Sequence, residues 1–310
     1  MTSFKNRIFY LLKPFISRQL QIALRRKIVL KKRLACANIW PIDQKANKPP
    51  DEWSGWPEQK RFALVLTHDV ESAKGLNKCY ELIRLEEHLG FRSSFNFVAE
   101  GYNIMPELRH YLTSKGFEVG MHGLYHDENL YKSIKIFHRQ AVRINQYLKE
   151  WGSVGFRAPS MYHNLDWTHS LDIEYDASTF DTDPFEPQPD GVGTIFPFFV
   201  QGNSSRKGFV ELPYTLPQDF TVFVILKEKN IDIWKQKLDW IVENRGMALF
   251  ITHPDYMNFN GTKLNHEEYP ARYYAEFLEY IKSKYKDQYW HVLPKDIARF
   301  WSENYANNNK

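Results

Sequence analysis

The chain has little cysteine and no long apolar run. Its 310 residues include two cysteines, Cys36 and Cys79, so we expect neither a disulfide framework nor a cysteine-rich zinc site. No stretch is long and apolar enough to predict a membrane-spanning helix. The short apolar segment at 8–12 is followed at once by Lys13-Pro14 and lacks a small-residue cleavage site, which is unlike a secretory signal peptide. These features predict a cytoplasmic protein with reduced thiols.

Acidic residues are absent from the first 42 positions, whereas basic residues are frequent there. The whole chain has 41 Lys or Arg and 37 Asp or Glu, so the remainder of the chain is net negative. A globally basic nucleic-acid binder would not have this distribution. The basic residues are Lys5, Arg7, Lys13, Arg18, Arg25, Arg26, Lys27, Lys31, Lys32 and Arg33.

The basic segment also contains a regular apolar pattern. Ile16, Leu20, Leu24 and Ile28 recur at every fourth position, with basic residues between them. This pattern predicts a basic amphipathic helix of the kind that lies on an anionic membrane surface, here through residues 5–33. An ordinary helix packed on the acidic body of the protein explains the pattern equally well, and the sequence leaves both interpretations open.

Four regions are predicted along the chain. Residues 1–42 form the basic helical extension, and residues 43–60, which are rich in Pro and Trp, form a linker that wraps onto the body. Residues 61–303 form the main domain, and the Asn-rich residues 304–310 form a frayed tail. In the main domain, strand patterns alternate with helix patterns, which predicts an α/β fold with a parallel sheet. Seven or eight such units predict a barrel, whose chemistry lies after the carboxyl ends of the strands.

The predicted strands are 62–67, 93–98, 117–121, 154–157, 173–178, 195–200, 208–212, 248–252 and 289–293. The predicted helices are 76–89, 104–115, 128–150, 165–171, 231–245, 267–284 and 294–303.

Two short segments contain the residue types of a metal site. Asp69 and Glu71 follow a buried strand pattern, and alternation along an extended chain points both side chains to the same side. His122 and His126 are four residues apart, so they would share one face of a helical turn. Carboxylates with a histidine pair are ligands for Zn²⁺ or a similar divalent ion. His68 would point away from Asp69, and we interpret it as a packing residue.

Five segments along the main domain form an ordered set of motifs: Leu66–Glu71, Met121–His126, Phe156–Ser160, Tyr175–Ser178 with Val210–Pro213, and Ile251–Pro254. In this order they resemble the motifs of polysaccharide deacetylases, the NodB-type family of carbohydrate esterases. The resemblance covers about residues 61–300 and implies a deformed (β/α)7 barrel. One departure is Val70, where the commonest pattern of the family has a second aspartate, and Glu71 follows it.

The resemblance also implies roles for single residues. Glu71, His122 and His126 would hold the metal, most simply Zn with Co, Ni or Mn as alternatives, and Asp69 would accept the proton of the attacking water. Arg157 would keep Asp69 ionised, and His253 would protonate the leaving amine. The backbone N–H of Ser160 would stabilise the oxyanion, and Ile251 would line a pocket for the acetyl methyl group. Asp176 and Glu211 are the candidates to orient Arg157 or His253.

The predicted activity is metal-dependent removal of N-acetyl groups from a sugar or a glycan precursor at the inner face of the membrane. Two alternatives remain. One is an amidohydrolase acting on a cyclic ureide or nucleobase-type amide, because relatives of this family hydrolyse ring amides. The other is a glycan-binding protein with a decayed site, for which Val70 is the main support.

Overall fold

A computed structural model describes residues 17–202, 207–261 and 263–305. Its main feature is a curled, mostly parallel β-sheet around β1, which is buried at all nine of its positions. The strands are β1 Phe62–Val70, β2 Ser94–Phe97, β3 Glu118–Met121, β4 Gly155–Phe156, β5 Tyr175–Asp176, β6 Phe198–Val200, β7 Phe209–Glu211, β8 Met247–Thr252, β9 Met257–Asn258, β10 Tyr269–Pro270 and β11 Tyr289–His291.

The sheet closes on itself as a deformed barrel. Strands β1, β2, β3, β4, β5 and β7 are parallel neighbours in that order, and β8 pairs with the other edge of β1. The chain after β7 closes the gap, because Leu216 forms a parallel bridge with Phe250 of β8. Four of the described strands lie outside the ring: β6 is antiparallel to β7, β11 pairs with the early part of β1, and β9 and β10 form a separate two-stranded sheet. The predicted α/β fold with a deformed (β/α)7 barrel is confirmed.

Amphipathic helices cover the outside of this barrel. In the helix Ile134–Trp151, Phe137, Ala141, Ile144 and Leu148 are buried at a spacing of three or four residues. The helices are α1 Arg18–Ala35, α2 Ala73–Leu76, α3 Cys79–Leu89, α4 Pro106–Ser114, α5 Ile134–Trp151, α6 Leu165–Thr168, α7 Asp232–Glu243, α8 Arg272–Lys284 and α9 Pro294–Tyr305.

Each of the nine strands predicted from the sequence corresponds to an observed strand, and each of the seven predicted helices to an observed helix. The observed strands are shorter than predicted, except β1 and β8, which occupy the centre of the sheet. The segment 43–60 contains two short 3₁₀ helices and packs on the body through Trp56, whose indole donates to the carbonyl of Arg245 at 2.7 Å. The predicted tail lies outside the described residues from position 306, and α9 extends to Tyr305, which is buried.

Within the basic extension, helix α1 covers Arg18–Ala35, and residues 36–42 are not helical. Ser17 caps α1, which is held to the body by Ile22 and Val29, both buried. The apolar stripe from which the amphipathic helix was predicted does not pack on the body. Leu20 and Ile28 of this stripe are 50% and 67% accessible to solvent. The first 16 residues, including Ile16, lie outside the described part of the chain. Among the described helices, none is long and apolar enough to cross a membrane.

Candidate active site

Asp69 lies at the carboxyl end of β1 and is buried in a polar setting. Its Oδ1 accepts hydrogen bonds from Asn96 at 2.8 Å and from Arg157 at 3.0 Å. Burial by itself would raise the pKa of Asp69, but Arg157, His122, His253 and Asn96 together lower it to about 2. Asp69 is therefore an ionised acceptor at neutral pH.

Arg157 follows β4 and is fixed by three contacts. Its Nε donates to the carbonyl of Ala177 at 2.8 Å, and its Nη1 donates to Thr67 at 2.7 Å as well as to Asp69. The side chain is 1% exposed. Thr67 and Asp69 are alternate residues of one strand, so their side chains point the same way. Both accept from the buried guanidinium of Arg157, which fixes its orientation.

His122 and His126 do not share a helical turn, so that expectation was wrong. Residues 124–128 form bends. Gly123 has φ +75°, and a Cβ added there would lie 2.9 Å from Pro159 Cγ. The two rings nevertheless lie side by side, with centroids 5.3 Å apart. His122 Nδ1 donates to the carbonyl of Arg157 at 3.0 Å, which leaves its Nε2 as the nitrogen with a lone pair. Burial lowers the pKa of His122 to about 4, so the ring is neutral.

Glu71 lies on the same side of the chain as Asp69, as the alternation predicts. Its Oε1 is 3.0 Å from His126 Nε2 and 3.8 Å from His253 Nε2, and its Oε2 accepts a short hydrogen bond from Tyr256. Burial raises the pKa of Glu71, but the two histidines and Tyr256 outweigh it and hold the pKa well below the ordinary value. The backbone N–H of Glu71 donates to Asp255 at 3.0 Å.

His253 follows β8 and is held by a carboxylate that the sequence did not single out. Its Nδ1 lies 2.6 Å from Asp219 Oδ1, and its backbone N–H donates to the other oxygen of Asp219 at 2.8 Å. Tyr269 donates to that second oxygen at 2.9 Å. Burial by itself would lower the pKa of His253, but Asp219, Glu71 and Asp69 raise it to about 10. The histidine therefore presents Nε2, carrying a proton, toward Glu71.

The donor set fits a divalent metal ion. In the described part of the chain, no three His, Cys, Asp or Glu side chains already meet the geometry of a metal site. However, Glu71 Oε1 lies 3.0 Å from His126 Nε2, and His122 keeps a lone pair on its Nε2. One carboxylate and two imidazoles are ligand types that Zn²⁺ uses. The residues that fit are Glu71, His122 and His126.

Asp176 and Glu211 lie side by side on β5 and β7, and both are completely buried. Asp176 Oδ1 accepts from Ser178, whose hydroxyl accepts from the backbone N–H of Ala158, so it supports the turn after Arg157. Burial raises the pKa of Asp176 to about 6 and that of Glu211 further above its ordinary value. In the described structure neither carboxyl contacts His253. The group that orients His253 is Asp219.

The two predicted substrate contacts lie near this cluster. Ile251 on β8 is paired with Thr67 of β1, so its buried side chain faces the same side as Thr67. Ser160 is exposed in a tight turn with φ +55°, directly after the Pro159 that packs on Gly123.

Four neighbours of the cluster were missed. Asn96 is a polar residue between Phe95 and Phe97, and Asp219 directly precedes an apolar run, so both carried a signal in the sequence. Tyr256 and Tyr269 carried none, because tyrosine is common throughout this chain.

No family model matches the sequence, and no curated protein matches it. Solved structures do match. A structure described as a polysaccharide deacetylase from Pseudomonas aeruginosa PAO1 has a TM-score of 0.65 at 17% identity, covering 85% of this chain and 97% of that one. A counterpart from Mycobacterium smegmatis has a TM-score of 0.63 at 17% identity, covering 81% and 94%. The PuuE allantoinase structure has a TM-score of 0.64 at 17% identity, covering 86% and 99%. The resemblance to polysaccharide deacetylases is confirmed at the level of the fold, which the allantoinase structure shares.

Proposed function

We propose that this protein is a metal-dependent hydrolase that removes N-acetyl groups from an N-acetylated sugar or glycan precursor. The observation that carries the proposal is the placement of two differently held groups around one cluster. Asp69 is held as an acceptor by Arg157 and Asn96, and His253 is held as a donor by Asp219. Glu71 Oε1 lies 3.8 Å from His253 Nε2. An acceptor and a donor around one site are what hydrolysis of an amide requires.

The ion would be held by Glu71, His122 and His126, with zinc as the expected metal. When bound, such an ion polarises the amide carbonyl and acidifies a water molecule. The second contacts of two of these ligands support this assignment. His122 is oriented through its Nδ1 by a backbone carbonyl, and Glu71 is oriented by Tyr256, as ligands of metals commonly are.

The residues of the chain would then move two protons. Asp69 accepts a proton from the attacking water as the new C–O bond forms, and Arg157 keeps Asp69 ionised beforehand. His253 donates its proton to the amine nitrogen as the C–N bond breaks, which releases acetate and a free amine. The backbone N–H of Ser160 stabilises the developing oxyanion. Ile251 contacts the acetyl methyl group.

The first test is metal content, measured by elemental analysis of the purified protein with Glu71→Ala and His126→Ala. We expect close to one divalent ion per chain in the wild type and little in either variant. Both variants should also lose nearly all acetate release from N-acetylhexosamine oligomers. His110→Ala, which changes an exposed histidine, is the matched control and should keep both properties.

Two results would contradict the proposal. A wild-type protein that takes up no metal even with added Zn²⁺ or Co²⁺ would exclude the assigned ligands. Loss of metal in His126→Ala alone would show that Glu71 is not a ligand.

The shared fold of the PuuE allantoinase favours one second candidate, hydrolysis of a cyclic ureide. Incubating the protein with a panel of N-acetylated sugars and cyclic ureides separates the two, because one releases acetate and the other opens a ring. A decayed glycan-binding protein would do neither and would need no metal. The place of action that we assign is glycan biosynthesis in the cytoplasm, at the inner face of the membrane.

A further inference from the structure

Helix α1 is fixed to the body along one face. Ile22 and Val29, seven residues apart, are buried against the domain. Arg18 pairs with Glu267 at 2.6 Å near one end of the helix, and Arg33 pairs with Glu228 at 2.7 Å near the other. Positions 18, 22, 29 and 33 recur at helical spacing, so the attached face is continuous over four turns. The helix therefore has a fixed inner face and a fixed outer face.

The outer face is a stripe of aliphatic residues with lysines between them. Leu20, Leu24, Ile28 and Leu34 are exposed by 50%, 37%, 67% and 84%, respectively. Lys27 and Lys31, which are also exposed, lie on the same face. The stripe runs from Leu20 to Leu34, which is roughly 21 Å along the helix. A continuous apolar stripe of this kind is unusual on a protein surface that contacts only water.

The charge of the helix decides between the possible partners. From Arg18 to Ala35 it has no acidic residue, so its partner must be anionic. A second copy of the helix would bring its lysines against those of the first, which costs energy. A nucleic acid would use the cations but leave the aliphatic stripe exposed. The surface of an anionic lipid bilayer satisfies both, because the aliphatic side chains enter the acyl boundary while the lysines reach the headgroups.

The inner face of the same helix reaches the candidate active site. The guanidinium groups of Arg18 and Arg25 lie 5.9 Å and 5.1 Å from the centre of the Phe220 ring. Phe220 packs on Tyr256 with ring centroids 4.8 Å apart, and Tyr256 donates to Glu71. Only two aromatic side chains therefore separate α1 from the predicted metal ligand. A bilayer on the outer face of α1 would lie about one helix diameter, roughly 10–12 Å, beyond these side chains.

We infer that the outer face of α1 binds an anionic membrane surface and thereby presents the active site to a substrate anchored in that membrane. The docking surface itself does not depend on the proposed hydrolase. The substrate class does rest on it: an N-acetylated sugar attached to a lipid, whose headgroup lies at the height of the site.

The test is flotation of the full chain with two kinds of vesicle, phosphatidylcholine alone and phosphatidylcholine mixed with phosphatidylglycerol. We expect binding to the anionic vesicles only, and weaker binding as salt is added. Leu20→Ser/Leu24→Ser/Ile28→Ser should weaken this binding by more than about tenfold, because three aliphatic anchors are lost. Lys27→Gln/Lys31→Gln should weaken it by roughly tenfold on the anionic vesicles.

The matched control is Ile134→Ser/Val142→Ser, which changes exposed aliphatic residues on α5 and should bind vesicles like the wild type. Equal binding by the triple serine variant, or no binding by the wild type, would overturn the docking surface. A wild-type dimer in sedimentation that the triple variant loses would assign the stripe to a second copy instead.

Acetate release from a soluble N-acetylated sugar separates the two proposals. The triple serine variant should keep this activity, because its changed residues face away from the site. A wild type that floats with vesicles but releases no acetate would overturn the hydrolase and leave the docking surface standing.

Discussion

In the candidate site, the protonation state of a side chain depends more on its partners than on its residue type. Asp69 is buried and Glu71 is partly buried, and both have a lowered pKa, but the dominant cation is Arg157 for Asp69 and His126 for Glu71. A permanent guanidinium leaves Asp69 ready to accept a proton at any neutral pH. The imidazole of His126 beside Glu71 can instead lose its proton when a metal ion binds to the same nitrogen. The two roles proposed for these carboxylates follow from that difference.

Asp219→Asn tests the residue that holds His253. The amide keeps the shape but not the charge that stabilises a protonated imidazole, so we expect acetate release to fall by roughly 10²-fold or more. Metal content should be unchanged, which distinguishes a positioning role from loss of a ligand. The rate is measured with saturating Zn²⁺ and a soluble N-acetylated sugar.

Asp176→Asn is the matched control for Asp219→Asn. Its side chain is equally buried, and it has no contact with His253 among the described residues. We expect Asp176→Asn to lower the rate of acetate release by less than about tenfold, since the amide oxygen still accepts from Ser178. If both variants lost the same activity, Asp219 would have no special role.

At the scale of elements, the site is assembled where strands end and irregular turns begin. Asp219 directly precedes a one-turn π-helix, Phe220–Ile225, and caps it by accepting from the N–H of Phe220 at 2.8 Å. Single π-turns are frequent at functional sites, because the extra residue re-aims a side chain. Here the turn places Asp219 on His253 and Phe220 under α1.

A buried network joins four elements on the other side of β1. His68 Nε2 lies 2.8 Å from Glu86 Oε1, and the other oxygen of Glu86 accepts from Ser93 at 2.6 Å. Tyr274 of α8 also donates to Glu86, and Thr252 of β8 lies 2.7 Å from His68 Nδ1. The network confirms that His68 packs away from the site.

Glu86→Ala should lower the free energy of unfolding by about 3 kcal/mol, because three buried groups lose their shared acceptor. Urea unfolding at neutral pH measures the loss. Glu87→Ala, in the same helix but in a surface contact with Arg92, is the control and should cost less than about 1 kcal/mol. Equal effects in the two variants would show that the network contributes no stability.

At the scale of the whole molecule, the barrel buries several carboxyl groups whose pKa is raised. Glu118 on β3 accepts from Tyr175 of β5 at 2.8 Å and from the backbone N–H of Lys295 in α9 at 3.2 Å. Burial raises its pKa to about 7 from an ordinary value of 4.5, and these hydrogen bonds only partly oppose the shift. The folded protein therefore binds a proton at Glu118 that the unfolded chain releases at lower pH.

The sign of the resulting pH dependence follows from linkage. Between the two pKa values the folded state holds more protons, so stability falls as pH rises from about 4.5 to 7, by up to about 3 kcal/mol from this group. In Glu118→Gln, the free energy of unfolding measured with urea should therefore decline by about 3 kcal/mol less than in the wild type between about pH 5 and 8. Glu174→Gln, which changes an exposed partner of Arg299, should leave the decline unchanged. A Glu118→Gln profile parallel to the wild type would contradict the raised pKa.

Much of this arrangement could be predicted from the sequence because it depends on local periodicity. The apolar run before Asp69 fixed a buried strand, and strand alternation placed Asp69 and Glu71 on one side. Helical periodicity located α3 and α7 to within about three residues and the end of α5 to within one, since each buries one face, but it placed the start of α5 about six residues too early. Turns without a period were less predictable, and the segment from His122 to His126 was expected to be helical.

The sequence by itself determined the order of strands and helices and the two segments that carry the predicted ligands. The tertiary structure decided which groups meet. Asp219 reaches His253 only because closure of the barrel brings the chain after β7 beside β8. The outward direction of the aliphatic stripe of α1 was likewise decided by the body, because Glu267 and Glu228 hold its opposite face. Pairings across a fold depend on which elements become neighbours, and no local pattern encodes that.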